Sequence, residues 1–183
     1  MKIRVEIEGI TSLLMNKFND SSLEGNTRDK NETPREAAHK TAYLSENNVL
    51  YYPAENIFAC IVCAGKYHKI GKNKVTTMKS SLIPAGITML STACLFNTPD
   101  FEVDSRSVVI PSTGGRIMKH RARLDKWCTY FEIEVDNNLI SEKMARQIID
   151  DAGSKVGLGD FRPDRKGSFG KFKVVKWERI IEE

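Results

Sequence analysis

Residues 153–177 read GSKVGLGDFRPDRKGSFGKFKVVKW. Five of the chain's twelve glycines fall here, Gly153, Gly157, Gly159, Gly167 and Gly170, interleaved with Lys155, Phe161, Arg162, Arg165, Lys166, Phe169 and Lys171. Glycine at that density leaves backbone with little side-chain cover, so polar groups can approach its amides closely. Cations alternating with aromatic rings suit a flexible polyanion carrying flat bases: the cations meet phosphates and the rings stack. Apolar residues at helical spacing precede the stretch, and a period-two alternation from Lys171 to Ile180 follows it. The stretch therefore reads as a loop joining a helix to a strand. A nucleotidase phosphate loop or a dinucleotide fingerprint would open a helix instead, and neither pattern is present. The competing reading makes the glycines a tight connection and the strand lysines a guard against edge aggregation.

Working outward, Ser141 is placed to cap a helix running to Ala152, with Met144, Ile148 and Ile149 on its apolar face and Gly153 as its stop. Upstream, Arg116–Leu124 and Trp127–Val135 are expected to form a hairpin about Asp125-Lys126. In its first strand Arg116, Met118, His120 and Ala122 share one face, and Lys119, Arg121 and Arg123 the other. Lys2–Ile10 alternates cleanly and predicts a half-buried strand. Residues 19–34 are polar and turn-rich, and Thr33, Pro34 and Glu36 make a helix start. Tyr43-Leu44 and Val49–Tyr52 flank an Asn-containing turn, and Pro53 opens a helix with Ile57, Phe58, Ile61, Val62 and Ala64 on its apolar face, terminated near Gly71. Ile87–Phe96 and Val108–Ile110 are strand-like. With insertions around 19–52 and 72–115 set aside, the order is β-α-β-β-α-β. The expectation is one α+β domain over 1–183: a ferredoxin-like (RRM-like) antiparallel sheet built from 2–10, 116–135 and 171–180, with two helices on one face.

The net charge of +4 is unevenly spread. Windows 66–79, 114–126 and 155–176 hold seventeen of the 28 Lys/Arg but three of the 24 Asp/Glu, so the rest of the chain is acidic. Localised basic windows on an acidic background predict anion-binding surfaces. Cys60, Cys63, Cys94 and Cys128 read as reduced thiols, and no second CxxC or histidine pair completes a zinc set around Cys60 and Cys63, so neither metal nor cofactor is expected. No apolar run approaches the length of a membrane span, and the N-terminus lacks signal-peptide character. A cytoplasmic location in a bacterial cell and no membrane partner are the expectations.

A ferredoxin-like unit with a glycine-rich loop between its second helix and last strand resembles the RAMP superfamily, the RNA-binding proteins of CRISPR systems. Gly157-Leu158-Gly159 and Lys166–Gly170 look like that loop, and the opening strand ending in Gly9 with Ser12–Met15 after it is similar to the start of the family's effector backbone subunits. The resemblance covers the first 15 and last 70 residues, and it extends to short solitary members encoded by phages and prophages. It implies RNA as partner, or single-stranded DNA, and oligomerisation along the strand or membership of a ribonucleoprotein complex. The residues expected to contact nucleic acid are Lys155, Gly157, Gly159, Phe161, Arg162, Arg165, Lys166, Gly167, Phe169, Gly170 and Lys171 in the loop, with Arg116, Lys119, Arg121 and Arg123 in the basic strand. Repeat-processing members of the superfamily cleave RNA with a histidine. His120, between Lys119 and Arg121, has the best electrostatic setting for that role but no evident acid/base partner, so binding without catalysis is expected. Two alternatives stay open: an RNA endonuclease, and a phage structural or assembly protein without nucleic acid.

Overall fold

The computed structural model of the chain describes residues 1–18, 32–110 and 112–181. Strand β1 (Lys2–Gly9) is central: its alternation removes Ile3, Val5 and Ile7 from solvent. It pairs antiparallel with β10 (Cys128–Val135) on one side and β11 (Phe172–Arg179) on the other. Strand β6 (Ile87–Met89) adds to the far edge of β10, giving the order β11-β1-β10-β6. Helix α2 (Ala54–Ala64) and the single turn α3 (Ile83–Gly86) intervene between β1 and β6, and α4 (Glu142–Asp151) between β10 and β11. That order and connectivity make the fold α+β and ferredoxin-like. Ile57 and Ile61 of α2, and Ala145, Ile148 and Ile149 of α4, are buried in one cluster with the inward side chains of the sheet. Each such large aliphatic group contributes about 1.5–3 kcal/mol on burial. Both caps work as the sequence suggests: the Met144 amide donates to Ser141 Oγ, and Thr33 and Glu36 close a capping box at α1 (Pro34–His39).

The expected hairpin over 116–135 does not form. Strand β9 (Arg116–Leu124) pairs with β8 (Glu102–Val109) and with the two-residue β2 (Leu13–Leu14) in a second sheet. A strand has two edges, and both edges of β10 are taken by β1 and β6. Asp125 and Lys126 are the crossing from one sheet to the other. Buried Trp127 fixes that crossing: its carbonyl accepts from the Gly9 amide at 2.8 Å and its indole N–H donates to the Thr11 carbonyl at 3.0 Å. The missing strand of the main sheet is β6, which lies inside the stretch 72–115 set aside as an insertion. Ile87–Phe96 is not one strand: it divides into β6 and β7 (Ala93–Leu95), and β7 pairs with β3 (Tyr51–Pro53) in a different sheet.

Three boundaries also move. α2 passes into a 3-10 turn over Gly65–Tyr67, and Gly71, at φ +59°, belongs to the tight turn between β4 (Lys69–Ile70) and β5 (Asn73–Lys74) instead of ending the helix. Gly153 does not stop α4, which widens into a π-turn over Ala152–Val156 before Gly157. In β11 a bulge shifts the register between Glu6 and Ile7, so that Ile7 faces Val174 but Glu6 faces Lys176. The extra residue turns Trp177 to the helix side, opposite Val5, where its indole donates to Glu142 of α4 at 2.9 Å. Of the polar stretch 19–34, residues 19–31 lie outside those described.

Candidate nucleic-acid interface

The glycine-rich loop is tightly folded. It wraps back on itself, with the Leu158 amide donating to the Gly170 carbonyl and the Phe169 amide to the Phe161 carbonyl. It is also tied to the chain after β1: the Gly170 amide donates to the Ser12 carbonyl and the Asp160 amide to the Leu14 carbonyl. The glycine amides are consumed in this folding. Gly157 donates to Ala152, Gly167 to Arg162, and Gly159 to the Tyr52 hydroxyl at 2.9 Å. Burial holds that hydroxyl neutral, its pKa displaced upward. The amides of these glycines are thus engaged within the protein instead of being presented to a ligand. At Gly170 (φ +71°) a Cβ would stand 1.8 Å from the Leu158 carbonyl oxygen, and at Gly167 one would stand 1.7 Å from that of Phe161. Close backbone approach is what these positions require.

The loop's two carboxylates each tie it to one cation of the other basic windows. Asp160 Oδ2 lies 2.8 Å from Arg121 Nε of β9, and Asp164 Oδ1 accepts from Lys66 Nζ, beyond the end of α2, at 2.7 Å. The Lys66 hydrogen bond holds the Asp164 carboxyl below the usual carboxylate range, and the same bond raises the Lys66 ammonium. The loop's own acids are therefore anchors to its flanks. Its cations divide accordingly. Arg162 donates to the Gly159 carbonyl at 2.9 Å, and Lys155 pairs with Asp151 at 2.7 Å and lies over Tyr67. Lys171 is held by its backbone, its amide donating to Thr11 Oγ1 and its carbonyl accepting from Ile10. Arg165 and Lys166 are exposed and have no carboxylate partner among the described residues. A 3-10 turn over Pro163–Arg165 lifts them clear of the loop, with Lys166 left-handed at φ +61°.

Phe161 and Phe169 are half-buried beneath arginines of the second sheet. The Arg106 guanidinium lies 4.7 Å from the Phe169 centroid, and that of Arg121 lies 5.0 Å from Phe161. Arg106 is itself clamped to buried Asp104 by two short hydrogen bonds. Arg106, Asp104 and Tyr52 were not singled out from sequence, because the strand reading began at Val108 and a clamped arginine carries no local pattern. In β9, the register places Arg121 beside Asp104 and Lys119 beside Arg106, so both face the loop. Arg123, on that face, pairs with Asp125 at 2.7 Å, and Arg116 is exposed at the other end of the strand. Burial, ahead of repulsion from Arg121, lowers the Lys119 ammonium, and burial likewise lowers Arg121 despite Asp160.

His120 points away from the loop, its Nδ1 2.7 Å from Ser105 Oγ on β8. His68 lies 3.0 Å from Asp151 and His39 packs near the Phe101 ring, so the structure brings no histidine pair together. Between the loop and α2 opens a polar cavity of about 260 Å³, lined among others by Asn16, Tyr43, Asn56, Cys63 and Arg162. Cys60, buried beside it, donates to the Ala152 and Gly157 carbonyls, and burial pushes its thiol pKa up. Such a thiol is a packing group and not a nucleophile.

The outer face of the main sheet has a different character. It presents Glu6, Glu8, Glu132, Glu134 and Glu178 against four cations: Lys2, opposite Glu134, and Arg4, Lys173 and Lys176, which are paired with Glu132, Glu8 and Glu178 respectively. Its ring, Tyr130, is covered by Arg4 at 5.0 Å. No helix among the described residues is long and apolar enough to cross a membrane.

No protein-family model matches the chain, and no curated protein matches it in sequence. Among solved structures, a chain of the cryo-EM structure of the type III-B Cmr-beta bound to cognate target RNA matches it with a TM-score of 0.57 at 14% sequence identity. The match covers 97% of this chain and 59% of that one, so this chain spans about three-fifths of its neighbour's length. The likeness is one of fold alone.

Proposed function

We propose that the protein binds single-stranded nucleic acid, RNA first, along the surface of the glycine-rich loop, as a subunit of a ribonucleoprotein or a homo-oligomer on the strand. The observation that carries this reading is the use of Asp160 and Asp164 as internal anchors for Arg121 and Lys66, which leaves Arg165 and Lys166 without a carboxylate partner among the described residues at the crest. The structural neighbour, a chain of Cmr-beta bound to target RNA, supports RNA as the partner. The outer sheet face is a poor alternative site. Its five carboxylates outnumber its four cations, and Arg4, Lys173 and Lys176 are already paired there. Binding is sequence-tolerant in this reading, because the cations are spread over several elements and none forms a base-reading fork.

The test is fluorescence anisotropy with unrelated single strands of RNA and DNA at several salt concentrations. A steep loss of affinity with salt, similar for every sequence, is expected. A flat salt dependence, or no binding to any strand, overturns the proposal. Nuclease treatment of the purified protein separates it from an assembly protein free of nucleic acid, whose oligomer the nuclease leaves unchanged.

The role is one of binding without catalysis. His120 faces away from the proposed strand path and has a hydroxyl, not an acid or base, as its partner. His120→Ala is expected to leave strand affinity within about twofold, as for a surface change remote from the contacts. Incubation with labelled RNA in the absence of metal is expected to show no cleavage by either protein. Cleavage by the wild type alone revives the endonuclease.

A further inference from the structure

Phe161 of the loop and the β8–β9 pair border a second, open cleft of about 510 Å³. Val108, Ile110, Ile117 and Phe161 line it, together with Lys119 and Arg121. Both cations are incompletely satisfied. Arg121 is 4% exposed; its Nε pairs with Asp160 at 2.8 Å and Asp104 also acts on it, yet its Nη1 has no hydrogen-bond partner among the described residues. Lys119, half-buried two residues away, has no carboxylate at ion-pair distance among the described residues, and burial works against its charge. A desolvated cation with unused donors is costly, and an oxygen-rich anion relieves two such cations at once. The walls add a second requirement. Three aliphatic side chains and an aromatic ring favour a ligand with an apolar or flat part next to its anionic part. Inorganic phosphate satisfies only the first condition; a nucleoside phosphate satisfies both.

We propose that this cleft seats one nucleotide of the bound strand, its phosphate on Lys119 and Arg121 and its base against Val108, Ile117 and Phe161. The proposal rests on the nucleic-acid reading above and adds to it a subsite separate from the exposed cations Arg165 and Lys166. The two contribute differently. The crest attracts the backbone by charge alone, whereas the cleft holds one unstacked residue in place. A base packed on the apolar wall of Val108, Ile117 and Phe161 makes the contact tolerant of sequence, since no hydrogen-bonding edge of the base is read there.

The experiment uses the full chain with three probes: a fluorescein-labelled dodecamer of uridine, uridine 5′-monophosphate and inorganic phosphate, the last two as competitors. The variants are Lys119→Ala, Val108→Asp, and the double change Arg165→Ala with Lys166→Ala, each checked by thermal melting. Each cleft variant is expected to weaken dodecamer binding about tenfold, the scale of removing one packed and paired nucleotide. Uridine monophosphate is expected to compete on the wild type and on the crest double variant, but not on the cleft variants. Dodecamer and monophosphate binding unchanged in both cleft variants overturns the proposal while leaving the crest reading intact. A crest variant with full affinity beside weakened cleft variants upholds the cleft and overturns the crest reading. Inorganic phosphate competing as well as the monophosphate overturns the seating of the base. A dodecamer weakened equally by 5′-phosphate and 5′-hydroxyl forms of an unlabelled competitor places the nucleotide within the strand; a clear advantage of the 5′-phosphate places it at the strand's end, and either upholds the cleft.

Discussion

Gly170→Ala is expected to cost about 2–5 kcal/mol of stability, the sum of a left-handed backbone penalty for an L-residue and an overpacking penalty. At φ +71° the residue is in the region that a Cβ disfavours, and the Cβ would meet the Leu158 carbonyl oxygen at 1.8 Å. That oxygen belongs to backbone, which cannot swing aside as a long side chain can. Both hydrogen bonds made by Gly170, from its amide to Ser12 and from the Leu158 amide to its carbonyl, stand to break as the loop shifts. For a chain of this size the melting temperature is expected to fall by roughly 5–20 °C. Two other glycines calibrate the result. Gly114 has a left-handed φ of +69° but open space around it, so Gly114→Ala is expected to show the backbone penalty alone. Gly115 has neither constraint beyond an ordinary contact with Thr113, and Gly115→Ala is expected to be near neutral. Scanning calorimetry that ranks Gly170→Ala beside Gly115→Ala would mean that the loop is a loose cradle and not a packed element.

That ranking also bears on what the sequence made legible. The glycine density of 153–177 marked the loop correctly, and the helix before it and strand after it were readable because Met144, Ile148 and Ile149 repeat at helical spacing and Phe172 and Val174 at period two. What glycine density does not reveal is whether the freedom serves a ligand or a neighbouring backbone. Glycine density alone suggests exposed amides; in the fold they are spent on Ala152, Tyr52, Arg162 and Ser12. The distinction depends on Leu14, Ser12 and Tyr52, more than a hundred residues away in sequence. No local pattern encodes such an approach.

The hairpin error has a similar origin. β9 and β10 are adjacent, alternating and joined by a short polar link, which is the local signature of a hairpin. Which strands a segment pairs with is decided by edges already occupied, and three-residue β6 takes the edge of β10 that β9 was assigned. A strand that short carries too few alternations to outweigh its neighbours. In β11 the bulge removes the period-two signal outright, since one extra residue inverts the phase beyond it, and Trp177 is therefore misplaced by any strict alternation. By contrast, the division of β9 into a His120 face and an Arg121 face was legible, because it needs only the pleat. Clamping of Arg106 by Asp104 is invisible locally for the opposite reason: the two are i, i+2 neighbours on one face, a spacing that occurs by chance throughout charged strands.

Arg165→Ala combined with Lys166→Ala is expected to weaken binding of single-stranded RNA about 10- to 30-fold near 0.1 M salt, and to reduce the log–log salt slope by about 1.4, at roughly 0.7 for each phosphate no longer neutralised. Folding is expected to be unaffected. Neither side chain has a carboxylate partner to lose among the described residues, exposed cations contribute little to stability, and alanine keeps the Cβ that Lys166 already carries at φ +61°. Net charge alone would also lower affinity for a polyanion, so the comparison is with Lys173→Ala combined with Lys176→Ala. That pair removes the same charge from the outer sheet face, where both lysines are held by Glu8 and Glu178. If the site is the loop crest, the sheet-face variant keeps its affinity within about twofold and nearly its full salt slope, because screening confines each cation to within ~10 Å. Salt titrations of the two double variants against one labelled strand decide between a site and a diffuse field. Equal losses would show that the strand responds to total charge, and Asp160 and Asp164 would then be anchors of a loop that binds nothing.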